Sequence, residues 1–262
     1  MDRRAFLSSS LSLAAALGLG GTITPAAAQG EAAAPTGPSG APFSFAWLKD
    51  EAQRLAAAPR ATPKTPVPAR FADLTQDQYR DIRWKRDQWI WRDEKRGYRL
   101  EPLASGFVYR TPVELYLVDD GTALPIAFDR DRFDWGSNVA PPEDGVTLPF
   151  SGLKLRRPRD PDRWPEFAVF QGATYFKSIA RDQIYGLTAR GLAINTAEPD
   201  GEEFPYFSRF YVEKPEENAQ TVRLYALLDS KAVTGAYRFT IRSGDETTID
   251  VELALFPREE LG

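Results

Sequence analysis

The stretch that decides the fold is YRFTIRSGDETTIDVELAL, which runs from Tyr237 to Leu255. Apolar and polar side chains alternate from Tyr237 to Arg242, and they alternate again from Ile249 to Leu255. Between these runs stands Ser243-Gly244-Asp245-Glu246, a segment of turn-forming residues. Because successive side chains of a strand point to opposite faces, the pattern predicts an antiparallel hairpin with one buried face.

Working outward from the hairpin, the rest of the chain predicts more strands and only two short helices. Ser44 is a predicted N-cap for a helix that Pro59 ends, and Thr75 and Gln78 have the spacing of a capping box for a second helix reaching about Trp84. No βαβ rhythm is present, so we predict an all-β fold, a large antiparallel β-sandwich with short N-terminal helices. The further strand candidates are residues 98–118, 167–180, 187–194, 208–214 and 221–228.

The N-terminus predicts export. Arg3 and Arg4 form a twin-arginine pair, an apolar run follows, and small residues end it at Ala28. We interpret residues 1–28 as a cleaved twin-arginine signal peptide, which implies delivery to the periplasm; the alternative is a permanent N-terminal anchor. Residues 29–43 are predicted to be a flexible leader, and residues 44–262 the β domain. No second apolar stretch is long enough to span a bilayer, so we expect no membrane span after cleavage.

Composition excludes several kinds of chemistry. The chain has no cysteine and no histidine, which removes disulfides, thiolate chemistry, the usual zinc sites and a Ser-His-Asp triad. The net charge of −4 argues against nucleic acid as a partner and favours a neutral polymer. No calcium-loop motif is present, so we predict no metal and no cofactor, and any acid-base chemistry must rest on Asp, Glu, Tyr or Lys.

Six segments together resemble a known family, the periplasmic glucan biosynthesis proteins G and D. The resemblance covers residues 45–262, and the twin-arginine signal favours the D branch. The segments that carry it are RWKRDQWIW (83–91), GATYF (172–176), QIYGLTARGLAI (183–194), GEEFP (201–205), YALLDS (225–230) and TGAY (234–237).

The resemblance implies a sandwich similar to that of galactose mutarotases, followed in the family by a smaller immunoglobulin-like domain. It implies a role in shaping the backbone of osmoregulated periplasmic β-glucans, in some members as hydrolases of β-1,2-glucan. Family members continue past the position of Gly262, so we expect a truncated sandwich whose catalytic carboxylates lie beyond that residue. No catalytic residue is therefore assigned to this chain.

Candidate sugar-binding residues come from aromatic and polar side chains in loops and strand ends. The apolar face of a pyranose ring packs on an aromatic surface, and charged groups bind its hydroxyls. Trp135, in a polar loop, is the first choice, and core packing is the alternative for each aromatic residue. Arg190 has a structural ion pair as its alternative, and the two glutamates a solvated loop. The full set is Trp135, Tyr175, Tyr185, Arg190, Glu202 and Glu203, with Trp84, Trp89 and Trp91 as further aromatic candidates and Asp229 as a turn residue.

Three functional hypotheses remain open from the sequence. The first is a glycoside hydrolase that cleaves β-1,2-glucan when full length. The second is a carbohydrate-binding protein without catalysis, whose partners are β-glucan and the membrane glucan synthase. The third is an inactive fragment, which would fold poorly because a sandwich lacking strands exposes sheet edges.

Overall fold

The computed structural model describes residue 40 and residues 42–60, 66–199 and 201–260, all within one unit, Pro35–Gly262. The predicted signal peptide, with Arg3, Arg4 and Ala28, lies outside the described residues. The predicted leader ends within packed structure, because Phe43 is 8% exposed and its ring stacks on Tyr211 at 4.5 Å. Over the described part of the chain, no helix has the length and apolar character needed to cross a bilayer.

Three short α-helices precede the described strands. Helix α1 begins after Ser44, whose side chain accepts the Trp47 backbone N–H, as the sequence predicts. Helix α3 has the predicted capping box: the Gln78 N–H donates to Thr75 Oγ1 at 3.3 Å, and the Thr75 N–H donates to Gln78 Oε1 at 2.9 Å. It ends before Trp84, because Trp84 pairs in a short strand instead. The helices are α1 (Phe45–Ala56), α2 (Ala69–Ala72) and α3 (Gln76–Asp81).

Thirteen strands are described, and they confirm the all-β prediction. Eleven of them form two large sheets, and β1 and β5 form a small separate pair. The strands are β1 (Arg83–Trp84), β2 (Arg99–Ala104), β3 (Glu114–Asp119), β4 (Thr122–Pro125), β5 (Phe133–Asp134), β6 (Phe150–Arg156), β7 (Glu166–Gln171), β8 (Tyr175–Ser178), β9 (Leu187–Arg190), β10 (Tyr206–Glu213), β11 (Thr221–Asp229), β12 (Val233–Ser243) and β13 (Thr247–Pro257).

The first sheet has six strands in the order β13-β12-β11-β10-β3-β4, and the second has five in the order β2-β6-β7-β8-β9. All neighbours pair antiparallel except β3 and β10, which are parallel. The predicted antiparallel β-sandwich therefore contains one parallel pair of strands. Parallel neighbours need a long crossover, and here β4 to β9, which include four of the five strands of the second sheet, intervene between them in the chain.

An aromatic core lies between the sheets. Phe170 of the second sheet packs edge-on against Phe210 and Phe239 of the first, with ring centroids 5.8 and 5.0 Å apart. A second core lies on the other face of the six-stranded sheet, where α1 buries Leu48 and Ala52 completely. Large buried side chains of this kind each stabilise the fold by about 1.5–3 kcal/mol.

The C-terminal hairpin forms as predicted, and its register places Tyr237 opposite Leu253 and Ser243 opposite Thr247. The prediction of one buried face is confirmed for β12, where Tyr237 is fully buried. It is wrong for β13, where Val251 and Leu253 are 42% and 45% exposed. The reason is position: β13 is the edge strand of its sheet, so its apolar face has fewer neighbours.

Candidate functional site

A large groove crosses the outer face of the five-stranded sheet, the face turned away from the aromatic core. Its floor consists of β2, β6 and β7, and its walls are residues 79–93 and the loop 159–165. The groove has a volume of about 1370 Å³. That exceeds the roughly 300–1,000 Å³ of sites for small ligands, so the space suits an extended ligand.

Strand alternation explains why polar groups line this groove. In β2, Leu100 is fully buried on the core side, whereas its neighbours Arg99 and Glu101 line the groove. In β6, Leu153 and Leu155 are buried in the core, and Lys154 lies on the opposite face. The sheet register places Lys154 directly beside Glu101.

A buried ion pair lies at the centre of the floor. Arg156 Nε donates to Glu101 Oε2 at 2.6 Å, and the two side chains are only 17% and 6% exposed. A second guanidinium nitrogen of Arg156 donates to the Trp164 carbonyl at 2.9 Å. The guanidinium also lies 4.8 Å from the centroid of the Trp89 ring. These contacts fix the orientation of Glu101, Arg156 and Trp89 relative to one another.

Arg99 and Trp164 form a matching stack at the wall. The Arg99 guanidinium lies 4.1 Å from the ring centroid of Trp164, and it donates to the backbone carbonyl of Trp91. Burial lowers the pKa of Arg99 below the ordinary arginine value, although the pKa of an arginine stays far above neutral pH. Trp89 and Trp164 both remain partly exposed. The two walls therefore each carry a tryptophan ring that is held by an arginine.

A hydrogen-bond network closes the other end of the groove. Gln171 Nε2 donates to Tyr79 Oη and to Ser151 Oγ, each at 2.8 Å. Both hydroxyls in turn donate to the Ala104 carbonyl, at 2.7 and 2.8 Å. Burial raises the pKa of Tyr79 to about 12, so its phenol stays protonated and acts as a donor.

A second cluster on the same sheet brings together three of the six predicted residues. Tyr175 of β8 and Arg190 of β9 are register partners, and the Arg190 guanidinium lies 5.3 Å from the Tyr175 ring centroid and 5.0 Å from that of Phe204. Arg190 also forms an ion pair with Glu202, which accepts a hydrogen bond from Thr196 at 3.3 Å. This matches the structural alternative for Arg190, and a sugar-binding role for the cluster stays a prediction.

The other three predicted residues lie apart from both clusters. Trp135 is 8% exposed, its ring lies 5.9 Å from that of Phe71, and its indole N–H donates to the Arg130 carbonyl at 3.0 Å. This matches core packing rather than a sugar platform. Tyr185 is 87% exposed, and Glu203 accepts a hydrogen bond from the Ala232 backbone N–H at 3.2 Å.

Of the further candidates, Trp89 lines the groove and is partly exposed, whereas Trp84 and Trp91 are buried, with 3% and 5% exposure. Asp229 forms an ion pair with Arg258 at 2.7 Å, which agrees with a structural role near its turn.

Sequence reasoning missed Glu101, Arg156 and Trp164. A signal for Glu101 and Arg156 was available, because each alternates with buried leucines along its strand, which indicates a polar outer face. Nothing local marked the pairing, since Glu101 and Arg156 are 55 positions apart. Among the described residues, no group of acidic side chains is arranged to hold a metal ion. Chemically, the groove has aromatic rings beside charged groups of fixed orientation. This combination of groups is suited to binding polyhydroxylated molecules.

Comparison with known proteins identifies the family to which the chain belongs. The model of the family described as "Periplasmic glucan biosynthesis protein, MdoG" matches residues 43–262. The chain is 42% identical to glucans biosynthesis protein G of Rhodopseudomonas palustris (strain BisA53) over 240 residues, which are 91% of this chain and 47% of that protein. It is 41% identical to glucans biosynthesis protein D of Xylella fastidiosa over 223 residues, 84% of this chain and 41% of that protein.

A third relative, glucans biosynthesis protein D of Xanthomonas campestris, is 37% identical over all 262 residues and 49% of its own length. The chain thus spans about half the length of the curated relatives it matches. The identities to proteins G and D are nearly equal, so assignment to the D branch stays a prediction. The match over residues 43–262, together with these identities, shows that the chain belongs to the MdoG family of periplasmic glucan biosynthesis proteins.

Proposed function

We propose that this chain binds a β-glucan along the groove on the outer face of its five-stranded sheet. The observation that carries the proposal is the fixed arrangement of Trp89 and Trp164 around the buried pair of Glu101 and Arg156. Aromatic rings pack against the apolar faces of sugar rings, and charged groups form strong hydrogen bonds with sugar hydroxyls. The family's role in periplasmic glucan biosynthesis identifies the class of polymer.

The size of the groove supports a polymer rather than a single sugar. About 1370 Å³ holds several sugar units, and the floor runs across three strands, about 10 Å at a spacing of about 4.8 Å. The cluster of Tyr175 and Arg190 lies on the same face of the sheet, two strands beyond β7. A bound chain that continued across the sheet would reach it. We therefore propose that Tyr175 and Arg190 bind the part of the glucan that extends beyond the groove.

Export by the twin-arginine pathway is part of the proposal and rests on Arg3, Arg4 and the small residues ending at Ala28. Replacing both arginines by lysine is expected to abolish periplasmic delivery of a tagged chain. Unchanged delivery would refute this route while leaving the family's periplasmic location untouched.

Binding can be measured by affinity electrophoresis in gels containing linear β-1,2-glucan. We expect Trp89→Ala and Trp164→Ala each to weaken binding by about tenfold, equivalent to about 1.4 kcal/mol. Trp47→Ala is the matched control, because Trp47 is a partly exposed tryptophan on α1, on the far side of the six-stranded sheet. Unchanged mobility of both groove variants, with folding shown intact by circular dichroism, would overturn the proposal.

Hydrolysis of β-1,2-glucan is the second candidate function, and it is proposed for the whole family protein rather than for this chain. A glycosidase needs two carboxyl groups across the scissile bond. The groove contains Glu101, but this carboxylate is bound by Arg156 and so is placed for binding rather than proton transfer. A protein of the relatives' full length should release oligosaccharides from linear β-1,2-glucan, whereas no release at any pH would leave binding, to glucan or to the membrane synthase, as the function.

A further inference from the structure

A small second pocket adjoins the groove where β6 begins and β7 ends. We call it the end pocket, and its volume is about 60 Å³. It lies between the two sheets, because Phe207 and Phe210 of the first sheet and Ser151 and Gln171 of the second all line it. Gln171 lines the groove as well. The two cavities therefore meet at the side chain of Gln171.

Tight turns with left-handed backbone form two walls of the end pocket. One turn is closed by reciprocal backbone hydrogen bonds between Gly106 and Tyr109, at 3.0 and 2.9 Å, and contains Phe107 with a φ of +55°. The other contains Ala173 with a φ of +46°. Before it stands Gly172, where an added Cβ would lie 3.1 Å from the Tyr109 ring. Residues other than glycine rarely adopt this backbone region, so the shape of the pocket is set by the fold rather than by mobile side chains.

A hydrogen-bond network fixes the orientation of the Gln171 amide. The hydroxyls of Tyr79 and Ser151 have one proton each, and both donate it to the Ala104 carbonyl, at 2.7 and 2.8 Å. Each hydroxyl oxygen can then only accept, so the NH₂ group of Gln171 must face both of them, as the two distances of 2.8 Å from Nε2 show. A flipped amide would place its carbonyl oxygen against two oxygens without a free proton.

This orientation leaves Gln171 with one free hydrogen-bonding group, its side-chain carbonyl oxygen. Within the residues that the structure describes, no donor is paired with this oxygen, and the surrounding protein atoms do not enclose it. The hydroxyls of Tyr109 and Thr111 line the same pocket, and neither has a hydrogen-bond partner among the described residues. The end pocket thus presents a fixed acceptor beside two groups that can donate. A ligand hydroxyl, which both donates and accepts, matches this arrangement.

The size of the end pocket limits which part of a sugar can enter it. A cavity of about 150 Å³ holds a benzene ring, and the end pocket has less than half of that volume. A pyranose ring is therefore too large, whereas a single hydroxymethyl group fits. On a glucose unit this group projects from the ring on a rotatable bond. The ring can consequently lie in the groove while the primary hydroxyl enters the pocket.

We infer that the end pocket and Gln171 form a subsite that recognises the free hydroxymethyl group of one glucose unit in the bound glucan. The primary hydroxyl donates to the Gln171 carbonyl oxygen and accepts from a hydroxyl of the pocket wall. This inference rests on the proposed glucan binding and adds the chemical group that is recognised at one position of the groove. A unit linked through this oxygen has no proton to donate and is too bulky to enter.

The test uses three linear β-1,2-linked glucose oligosaccharides of equal length: unmodified, 6-deoxy and 6-O-methyl. Titration calorimetry should show about tenfold weaker binding of the 6-deoxy form, which fits the pocket but cannot donate to Gln171. The 6-O-methyl form should bind more weakly still, because its methyl group also exceeds the space. Equal affinity for the three forms would overturn the inference.

Variants show whether the preference arises in the end pocket. Gln171→Leu removes the acceptor at similar size, so it should weaken binding of the unmodified form about tenfold and leave the 6-deoxy form within about twofold. Thr111→Phe fills the pocket from an exposed position of its wall and leaves the network of Gln171 intact, so it should also abolish the preference. The matched control is Thr188→Phe, because Thr188 is an exposed threonine of β9 outside both cavities.

The outcomes separate this inference from the proposed function. A preference that persists in Thr111→Phe would overturn the subsite even if Gln171→Leu failed to fold. Loss of the preference in Thr188→Phe as well would overturn its assignment to the end pocket. In both cases glucan binding along the groove would stand. No binding of any of the three oligosaccharides would overturn the proposed function itself.

Discussion

Removing one partner of the buried ion pair in the groove floor should destabilise the fold strongly. In Glu101→Leu, the Arg156 guanidinium, 17% exposed, loses the carboxylate that lies 2.6 Å away. Leaving one member of a buried pair without its partner costs about 3–5 kcal/mol. Arg156 keeps its hydrogen bond to the Trp164 carbonyl and its stacking on Trp89, so we expect a loss near the lower end, about 3 kcal/mol.

The double variant distinguishes the interaction between Glu101 and Arg156 from the contacts that each residue makes with its surroundings. Arg156→Met alone leaves the Glu101 carboxylate buried and should cost about 3 kcal/mol as well. The combination Glu101→Leu with Arg156→Met replaces two charges by apolar groups of similar size, so it should be less destabilised than either single variant. The cycle should therefore give a coupling free energy of about 3 kcal/mol or more.

Urea unfolding followed by near- and far-ultraviolet circular dichroism is the assay, with coincident transitions as the check on two-state behaviour. The exposed pair of Arg238 and Glu252, with side chains 39% and 52% exposed, is the matched control, and its coupling should stay below about 1 kcal/mol. A coupling below about 0.5 kcal/mol for Glu101 and Arg156 would refute the reasoning, because it would mean that water screens the pair. The outcome bears on function too, since this pair orients the groove floor.

Three further predictions concern stability. Gly152→Ala should prevent stable folding or cost several kcal/mol, because its φ is +154° and an added Cβ would lie 2.0 Å from the Phe170 carbonyl oxygen; a normal thermal midpoint would contradict this. Thr75→Ala should lower the free energy of unfolding by about 1 kcal/mol through loss of the capping box, whereas Thr75→Ser should be near neutral; equal losses would rule out the cap. Burial alone would raise the pKa of Glu166, but the neighbouring Lys154 and Lys177 hold this pKa below the ordinary value of 4.5. The ionised carboxylate therefore stabilises the fold above about pH 4.5, and this stabilisation is lost as the pH falls through the lowered pKa. Thermal melts should show that Glu166→Gln loses less stability than the parent between pH 7 and pH 3, and parallel losses would contradict the lowered pKa.

Local patterns determined much of the fold. Alternation from Tyr237 to Arg242 predicted β12, and the turn residues that follow it predicted the hairpin, because both signals depend on neighbours within the same hairpin. The cap at Ser44 and the capping box at Thr75 were predicted for the same reason. The family followed from short segments spread over the chain, and comparison confirmed it.

Burial of single side chains was less accessible to sequence reasoning. Trp135 follows a polar loop, yet Phe71, 64 positions earlier, and Phe133 pack against it. Val251 and Leu253 have the pattern of a buried face, yet their strand lies at a sheet edge. In both cases exposure depends on which distant element lies next to the residue, and hydrophobic pattern alone carries no information on that.

By itself, the sequence determined the all-β class, the C-terminal hairpin, the helix caps and the family, because each depends on local alternation, on turn chemistry or on segment identity. Only the tertiary structure decided where the charged and aromatic side chains of the proposed binding groove come together. The pairing of Glu101 with Arg156 and the stacking of Trp164 on Arg99 each join parts of the chain that are far apart in sequence. Their physical cause is the stacking of two sheets, which turns one face of β2 and β6 into the core and leaves the other face to line the groove.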